Sequence, residues 1–419
     1  MHLSYSVFNA VDPAYARRAM DPIRTRPNER LPATWMVVCT GILALAAAMG
    51  IGRFAFTPLL PLMLRDGTLD AAVGAEWAAA NYAGYLAGAA SARWLARNPA
   101  RGLRWSLVGI AVTTIAAAGG SAPLVGIALR AAAGLFSAWV LVSASGFFLG
   151  ELTRRGVPQR GAWIYTGVGL GIALSGTLAW LGGWQPARWL WLELGIAAAG
   201  AAAAVGLGLR NLGRGPLPVR PAPSATAARG GRRALVLCYG VFGFGYIVPA
   251  TFLPAMARQQ VSDPLVFGLA WPLFGLAAAL SVAVTARWLS SWPRRRVWAL
   301  AQGVMAVGTA LPVLTQALWA LAASAVLVGG TFMVATMAGL QLARELRPAE
   351  PTPLLSRMTM SFAVGQIAGP LLVRLLASLL TGDDTALACA NAAATGLLAL
   401  TAAWLWRGTG APPPAKPWP

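Results

Sequence analysis

Apolar stretches of roughly 18–28 residues recur along this chain with almost no charge inside them, and that recurrence limits the fold more than any other feature. At 1.5 Å per helical residue, each can cross about 30 Å of hydrocarbon. A backbone crossing lipid must satisfy its own N–H and C=O groups, which favours helix. The spacing predicts twelve spans, at 34–63, 75–96, 103–120, 123–149, 161–182, 188–209, 234–257, 265–289, 297–314, 317–343, 355–379 and 385–406. The tightest turns fall near Gly119–Pro123 and Leu314–Ala317. Composition agrees: 57% of residues are hydrophobic, 11% are charged, and mean hydropathy is +0.62. Soluble domains carry about 25% charged residues, so an ordinary water-soluble enzyme is disfavoured.

Arginine placement sets the orientation, because basic residues gather on the cytoplasmic side. With the N-terminus inside, 27 basic residues fall on inner segments and 3 on outer ones (Arg65, Arg188, Arg258). Arg53, Arg130 and Arg374 fall within spans. One miscounted helix early in the chain would destroy that asymmetry. The expected organisation is a cytoplasmic tail (1–32), a six-helix bundle (33–210), a Pro/Ala/Arg-rich cytoplasmic linker (211–232), a second six-helix bundle (233–408) and a cytoplasmic tail (409–419). No signal-peptide pattern is read in the first tail. The expected location is the bacterial inner (cytoplasmic) membrane, with both termini cytoplasmic and the chain monomeric.

The net charge of +20 does not point to nucleic acid, since the basic residues sit in short runs between apolar stretches. Cys39, Cys238 and Cys389 lie apart inside apolar segments and read as small core hydrophobes. The single histidine is His2, so histidine catalysis and most transition-metal sites are disfavoured. No metal site or cofactor is expected. No phosphate-cradling G-x-x-x-x-G-K-[ST] loop occurs, which argues against ATP-driven pumping.

The two halves repeat each other. Gly50-Ile-Gly52-Arg53 corresponds to Gly243-Phe-Gly245-Tyr246, and Pro61-Leu-Met63 to Pro254-Ala-Met256, each at an offset of 193. Ala92-Arg-Trp-Leu95 recurs as Ala286-Arg-Trp-Leu289, and Glu151 as Glu345, at an offset of 194. Parallel repeats of this kind build transporter halves with a site between them near the bilayer midplane.

These features resemble the major facilitator superfamily. The Arg130-Ala-Ala-Ala-Gly134 run matches that family's RxxxG pattern. The basic loop after helix 2, with Gly88, Arg93 and Arg97, resembles its cytoplasmic gate loop, but the family's aspartate is absent. Gly50 to Pro61, Asn81-Tyr-Ala-Gly-Tyr-Leu-Ala-Gly88, Gly245-Tyr-Ile247 with Phe252-Leu-Pro254, and Gly365-Gln-Ile-Ala-Gly-Pro370 are similar to the YbfB/YjiJ group, over residues 33–408. The resemblance implies an all-α, twelve-helix fold of two pseudo-symmetric bundles, with helices 1, 4, 7 and 10 lining a central cavity.

Ionisable residues inside a span are costly and mark functional positions by default. Depth counting places Arg53, Arg130, Glu193 and Arg374 in one layer, roughly 8–10 Å outward of their helix centres. The expected substrate-binding set is Arg53, Arg130, Tyr246, Asn81, Gln366 and Arg374. A guanidinium matches carboxylate geometry and stays charged at physiological pH, so the expected cargo is an anionic, carboxylate-bearing small solute. The alternative is that the arginines are structural and neutralised by Glu193. Glu193 is the candidate proton carrier, or else a permanent ion pair. Gly50, Gly52, Pro61 and Pro254 are read as packing or gating positions. Gly167 with Gly171 in helix 5, and Gly365 with Gly369 in helix 11, are read as a sliding interface between halves.

The expected function is secondary active transport by alternating access, with the proton as the candidate coupling ion. The alternatives are efflux of drug-like or sugar-like compounds on the same fold, or a non-transporting membrane receptor. A membrane-embedded transferase would need a histidine or clustered carboxylates, and the chain offers neither.

Overall fold

A computed structural model describes residues 30–119, 122–212, 229–260, 264–315, 317–380 and 383–408. Most of the first tail, most of the linker and the last tail lie outside the described residues. The described chain forms twelve helical rods and no strand. The first, α1, is made of three pieces: Arg30–Leu45, a π-helical Ala46–Arg53, and Phe56–Arg65. Then come α2 (Ala71–Ser91), α3 (Pro99–Ala116), α4 (Pro123–Arg154), α5 (Thr166–Leu181, entered through a 3₁₀ turn at Pro158–Tyr165) and α6 (Ala187–Asn211). The second half holds α7 (Arg229–Gln260), α8 (Pro264–Trp288), α9 (Arg294–Leu314), α10 (Leu318–Leu346), α11 (Thr352–Leu379) and α12 (Asp383–Arg407).

The helix starts follow local chemistry. Asp70 accepts from the Val73 N–H at 2.8 Å, and Asn98 accepts from the Arg101 N–H at 3.2 Å ahead of Pro99. These side chains satisfy amides that a helix start leaves open. Eleven rods are apolar and long enough to cross a membrane among the described residues. The exception is α2, whose Glu76, Asn81, Tyr82 and Tyr85 lower its hydropathy.

Within each half, small residues set the closest approaches. An added Cβ on Gly171 of α5 would lie 2.3 Å from the Ala46 carbonyl oxygen and 2.8 Å from the Gly50 Cα. An added Cβ on Gly365 of α11 would lie 2.1 Å from the Gly240 carbonyl oxygen and 2.7 Å from the Phe244 nitrogen. Gly171, Ala46 and Gly50 map onto Gly365, Gly240 and Phe244 with one offset of 194, so the repeat is structural, but it places Gly50 opposite Phe244 and not Gly243, a one-residue correction to the sequence match that falls within the π-helical piece of α1.

The same contacts correct the expectation for the paired glycines. Gly167 and Gly171 pack on α1, while Gly365 and Gly369 pack on α7, all inside their own halves. The seam between halves runs through α5 against α8 and α2 against α11. On α5 it uses Gly169, whose added Cβ would sit 2.3 Å from the Ala279 nitrogen, and Gly176, which meets Pro272. Residues 167 and 169 are two apart on a helix and so face different neighbours, a distinction the G-x-x-x-G spacing does not carry.

At the arginine-rich end, two further bonds join the halves. Arg344 Nη1 of α10 donates to the Gly146 carbonyl of α4 at 2.9 Å, and Ser356 Oγ of α11 donates to the Ala89 carbonyl of α2.

Candidate functional site

The site begins with a break in α1. Glycines are poor helix formers, and the π-helical piece contains Gly50 and Gly52. An added Cβ on Gly50 would lie 2.3 Å from the Gly171 backbone, which leaves no room for a side chain, and one on Gly52 would lie 2.9 Å from Ser137 Oγ and would force that side chain to shift. The π register is visible in the Phe54 N–H, which donates to the Met49 carbonyl at 3.1 Å. Downstream, Pro58 has no N–H to offer the Phe54 carbonyl. The Thr57 N–H serves that carbonyl instead, at 3.2 Å, and so is lost to the Arg53 carbonyl one turn back.

Side chains of α4 supply the missing donors. Arg130 Nη2 donates to the Arg53 carbonyl at 3.1 Å and Nη1 to the Gly52 carbonyl at 3.2 Å. Ser137 Oγ lies 2.7 Å from the Ala48 carbonyl of α1 and 2.7 Å from the Ala133 carbonyl of its own helix, and its single proton serves one of the two. Arg130 and Ser137 are seven residues apart, hence on one face of α4. Helix α2 holds α4 in turn: Asn81 Nδ2 donates to the Arg130 carbonyl at 3.0 Å, and Gly84 and Gly88 pack on Ala131 and Leu135. Irregular backbone at membrane depth persists only where protein satisfies it, and here the arginine of one helix mends another.

Arg53 is placed differently. Its guanidinium carbon lies 3.7 Å from the Tyr85 ring centroid and 5.6 Å from that of Tyr82. Its Nη2 donates to Gln366 Oε1 on α11, a bond from one half to the other. Both arginines are buried, at 3% and 4% exposure. Among the described residues neither meets a carboxylate. Arg53 Nε and Nη1, Arg130 Nε and Gln366 Nε2 are buried without a hydrogen-bond partner.

The second half presents a different surface. Tyr246 of α7 stacks on Phe332 of α10 at 4.9 Å, Phe332 on Phe274 of α8 at 5.4 Å, and Phe274 on Trp271 at 5.3 Å. Tyr246 also stacks on Phe362 of α11 at 6.3 Å. Phe54, next to Arg53, meets Phe332 edge-on at 6.2 Å and so ties the cationic site to this aromatic stack.

Of the residues the sequence singled out, Arg53, Arg130, Asn81 and Gln366 come together, with Tyr246 in the facing stack. Arg374 and Glu193 do not join them. Arg374 is exposed on α11, and Glu193 is exposed on α6, where it accepts from Gln185 Nε2 at 3.0 Å. Counting residues fixes depth but not azimuth, so equal depth did not make them neighbours. The expected neutralisation of the arginines by Glu193 is corrected by the same geometry. Pro61 lies inside the Phe56–Arg65 piece. Arg93 is exposed. The side chains of Arg97 and Pro254 lie outside the described residues.

Sequence reasoning missed Tyr82, Tyr85 and Arg344. Tyr85 is one helical turn from Asn81, a spacing that placed it beside the polar face. Nothing in the local pattern marked Arg344 as a bridge between halves.

A family model described as "Uncharacterised MFS-type transporter YbfB" matches residues 45–403. Among solved structures, the chain is similar to the human organic anion transporter MFSD10 (TETRAN), at a TM-score of 0.66 and 15% identity, covering 91% of this chain and 100% of that one. That likeness shows the fold. No curated protein sequence matches.

Proposed function

We propose, from the premise that this chain belongs to the YbfB family of MFS-type transporters, that it carries a small organic anion across the membrane by alternating access between its two halves. The carrying observation is the pair of buried guanidiniums with free N–H groups and, among the described residues, no carboxylate beside them. A buried cation needs a counter-charge, and a carboxylate oxygen suits the unpartnered Nε and Nη1 of Arg53. Arg53 also bonds across the seam to Gln366, so an anion there would touch both halves. The aromatic stack headed by Tyr246 and Phe332 gives the rest of such a solute an apolar surface. The similar MFSD10 structure is titled an organic anion transporter, which agrees with this reading without carrying it.

The roles of the two arginines divide. Arg53 holds the solute, whereas Arg130 keeps α1 in the broken shape that presents Arg53. Glu193 has no part in this reading, since its exposed side chain bonds to Gln185 away from both arginines.

A thermal-shift screen of the purified full chain against organic acids, amines and neutral sugars tests the proposal. Organic acids should raise the unfolding temperature of the wild type and leave Arg53→Ala unmoved. Stabilisation by amines or sugars with none by acids would sink it.

A further inference from the structure

We infer that the protein is an anion exchanger, whose site returns across the membrane only when a second anion has replaced the first on Arg53. This rests on the anionic-solute reading above and adds how the cycle closes.

The argument starts from what could discharge the site. A carrier that returns empty must bury its binding groups without cargo. Where those groups are carboxylates or histidines, a proton can neutralise them for the return. Here they are guanidiniums, which keep their proton. The one histidine, His2, precedes the first span. The acids that fall in helices are all engaged or placed elsewhere. Glu76 and Glu193 are exposed. Glu151 is paired with Arg155 at 2.7 Å and with Arg154. Glu345 lies 3.7 Å from Arg294 at the arginine-rich end, and Asp383 and Asp384 open α12. Among the described residues the groups that face Arg53 are Tyr82, Tyr85, Phe54, Gln366 and the Arg130 guanidinium, which bonds to the Arg53 backbone carbonyl, and none of them is an acid.

The structure also shows the arginines withdrawn from water while the halves are bonded together at the arginine-rich end. In that arrangement Arg53 keeps two N–H-bearing nitrogens without a partner. An anion on those groups lowers the free energy of the buried arrangement relative to the open ones. Cargo can shift a conformational equilibrium only by its differential affinity for the two states, and here that difference is large because the charge is otherwise uncompensated. Loaded reorientation is therefore fast and empty reorientation slow. One anion enters for each that leaves, so no external co-reactant is needed.

The test is counterflow with the full chain in sealed vesicles. Uptake of labelled lactate, benzoate and phthalate is measured, each with and without the same unlabelled anion inside at millimolar concentration. Protein-free vesicles supply the background. For any anion carried, internal anion should raise the initial rate at least about ten-fold, and an acid-outside pH gradient should change the rate in unloaded vesicles by less than about two-fold. Equal rates in loaded and unloaded vesicles, or accumulation driven by the pH gradient in unloaded ones, would overturn exchange while leaving the anion reading intact. No movement of any of the three under either loading, from protein whose unfolding transition shows it folded, would overturn the anion reading and this inference with it.

Discussion

The two halves keep the same packing and have parted in chemistry. Gly171 against Ala46 and Gly365 against Gly240 are the same contact, 194 residues apart. The first half puts two guanidiniums, two tyrosines and an asparagine at the centre, stitched to a broken α1. The second half puts a neutral aromatic stack there, and its nearest polar contribution is Gln366. A duplicated scaffold thus retains what fixes helix spacing and varies what faces the centre. Helix spacing tolerates no change because the contacts are backbone to backbone. The centre can differ because each half supplies only part of it.

The sharpest way to test that division is to remove each arginine in turn. Both Arg53→Ala and Arg130→Ala should cut anion transport about 100-fold or more, the scale of losing a buried charge-assisted contact. Stability should separate them. Arg130→Ala leaves the Gly52 and Arg53 carbonyls buried without their donor, at a cost of about 2–4 kcal/mol. Arg53→Ala removes an uncompensated buried charge, so its unfolding temperature should match or exceed that of the wild type. Thermal unfolding in detergent, set beside vesicle uptake, reads both. Equal destabilisation by the two variants would erase the distinction between a solute-binding and a shape-holding arginine.

The repeat itself can be tested next. Gly171→Ala and Gly365→Ala each drive a Cβ to 2.3 Å or less from a backbone oxygen of the neighbouring helix. Each should destabilise by about 1–3 kcal/mol, and the two losses should be similar. Gly200→Ala is the contrast, since nothing lies within 4 Å of its added Cβ. A large loss at one glycine and none at the other would show that the halves pack differently after all.

The aromatic side of the comparison carries a smaller expectation. Tyr246→Leu removes the ring stacked on Phe332 while keeping an apolar side chain. Transport of benzoate should fall about 3–10-fold, the scale of one aromatic contact, and transport of lactate should fall less. Equal losses for the two anions would assign Tyr246 to holding α7 in place rather than to the solute.

Much of this was legible in the sequence, for identifiable reasons. Twelve spans could be read because apolar length is a one-dimensional signal, and even the tight turn before α10 fell near Thr315, where that residue's hydroxyl accepts from the Ala317 N–H. Arg53, Arg130, Asn81 and Gln366 could be read because polar groups are conspicuous in an apolar run. Azimuth was harder. Arg374 and Glu193 share the arginines' depth but point outward, and Gly167 and Gly171 face α1 rather than the other half. The π-helical piece was not foreseen, although Gly50, Gly52 and Pro58 are its local causes. The role of Arg130 as a donor to α1 carbonyls follows only once that break is seen.

The last and smallest effect concerns the rim of the first half. Asp66, just beyond α1, accepts from the Ala187 N–H at 2.6 Å and so serves the start of α6. It also pairs with Arg65, which reaches on to the Gln185 carbonyl at 2.8 Å. Burial pushes the Asp66 carboxyl upward, but the Ala187 N–H and Arg65 outweigh it and hold the group below the ordinary aspartate range. A depressed carboxylate stabilises the fold above the unfolded-state pKa, and that contribution is lost as pH falls through the folded-state value. The wild type should therefore lose stability on acidification below the ordinary aspartate range, and Asp66→Asn should lose less over the same interval. At neutral pH the substitution should cost only about 0.5 kcal/mol, because the pair is partly exposed and screened. Unfolding temperatures of both proteins across that interval decide it. Parallel curves would mean that α6 is held at its start by packing alone, and that the outer rim, unlike the centre, owes nothing to charge.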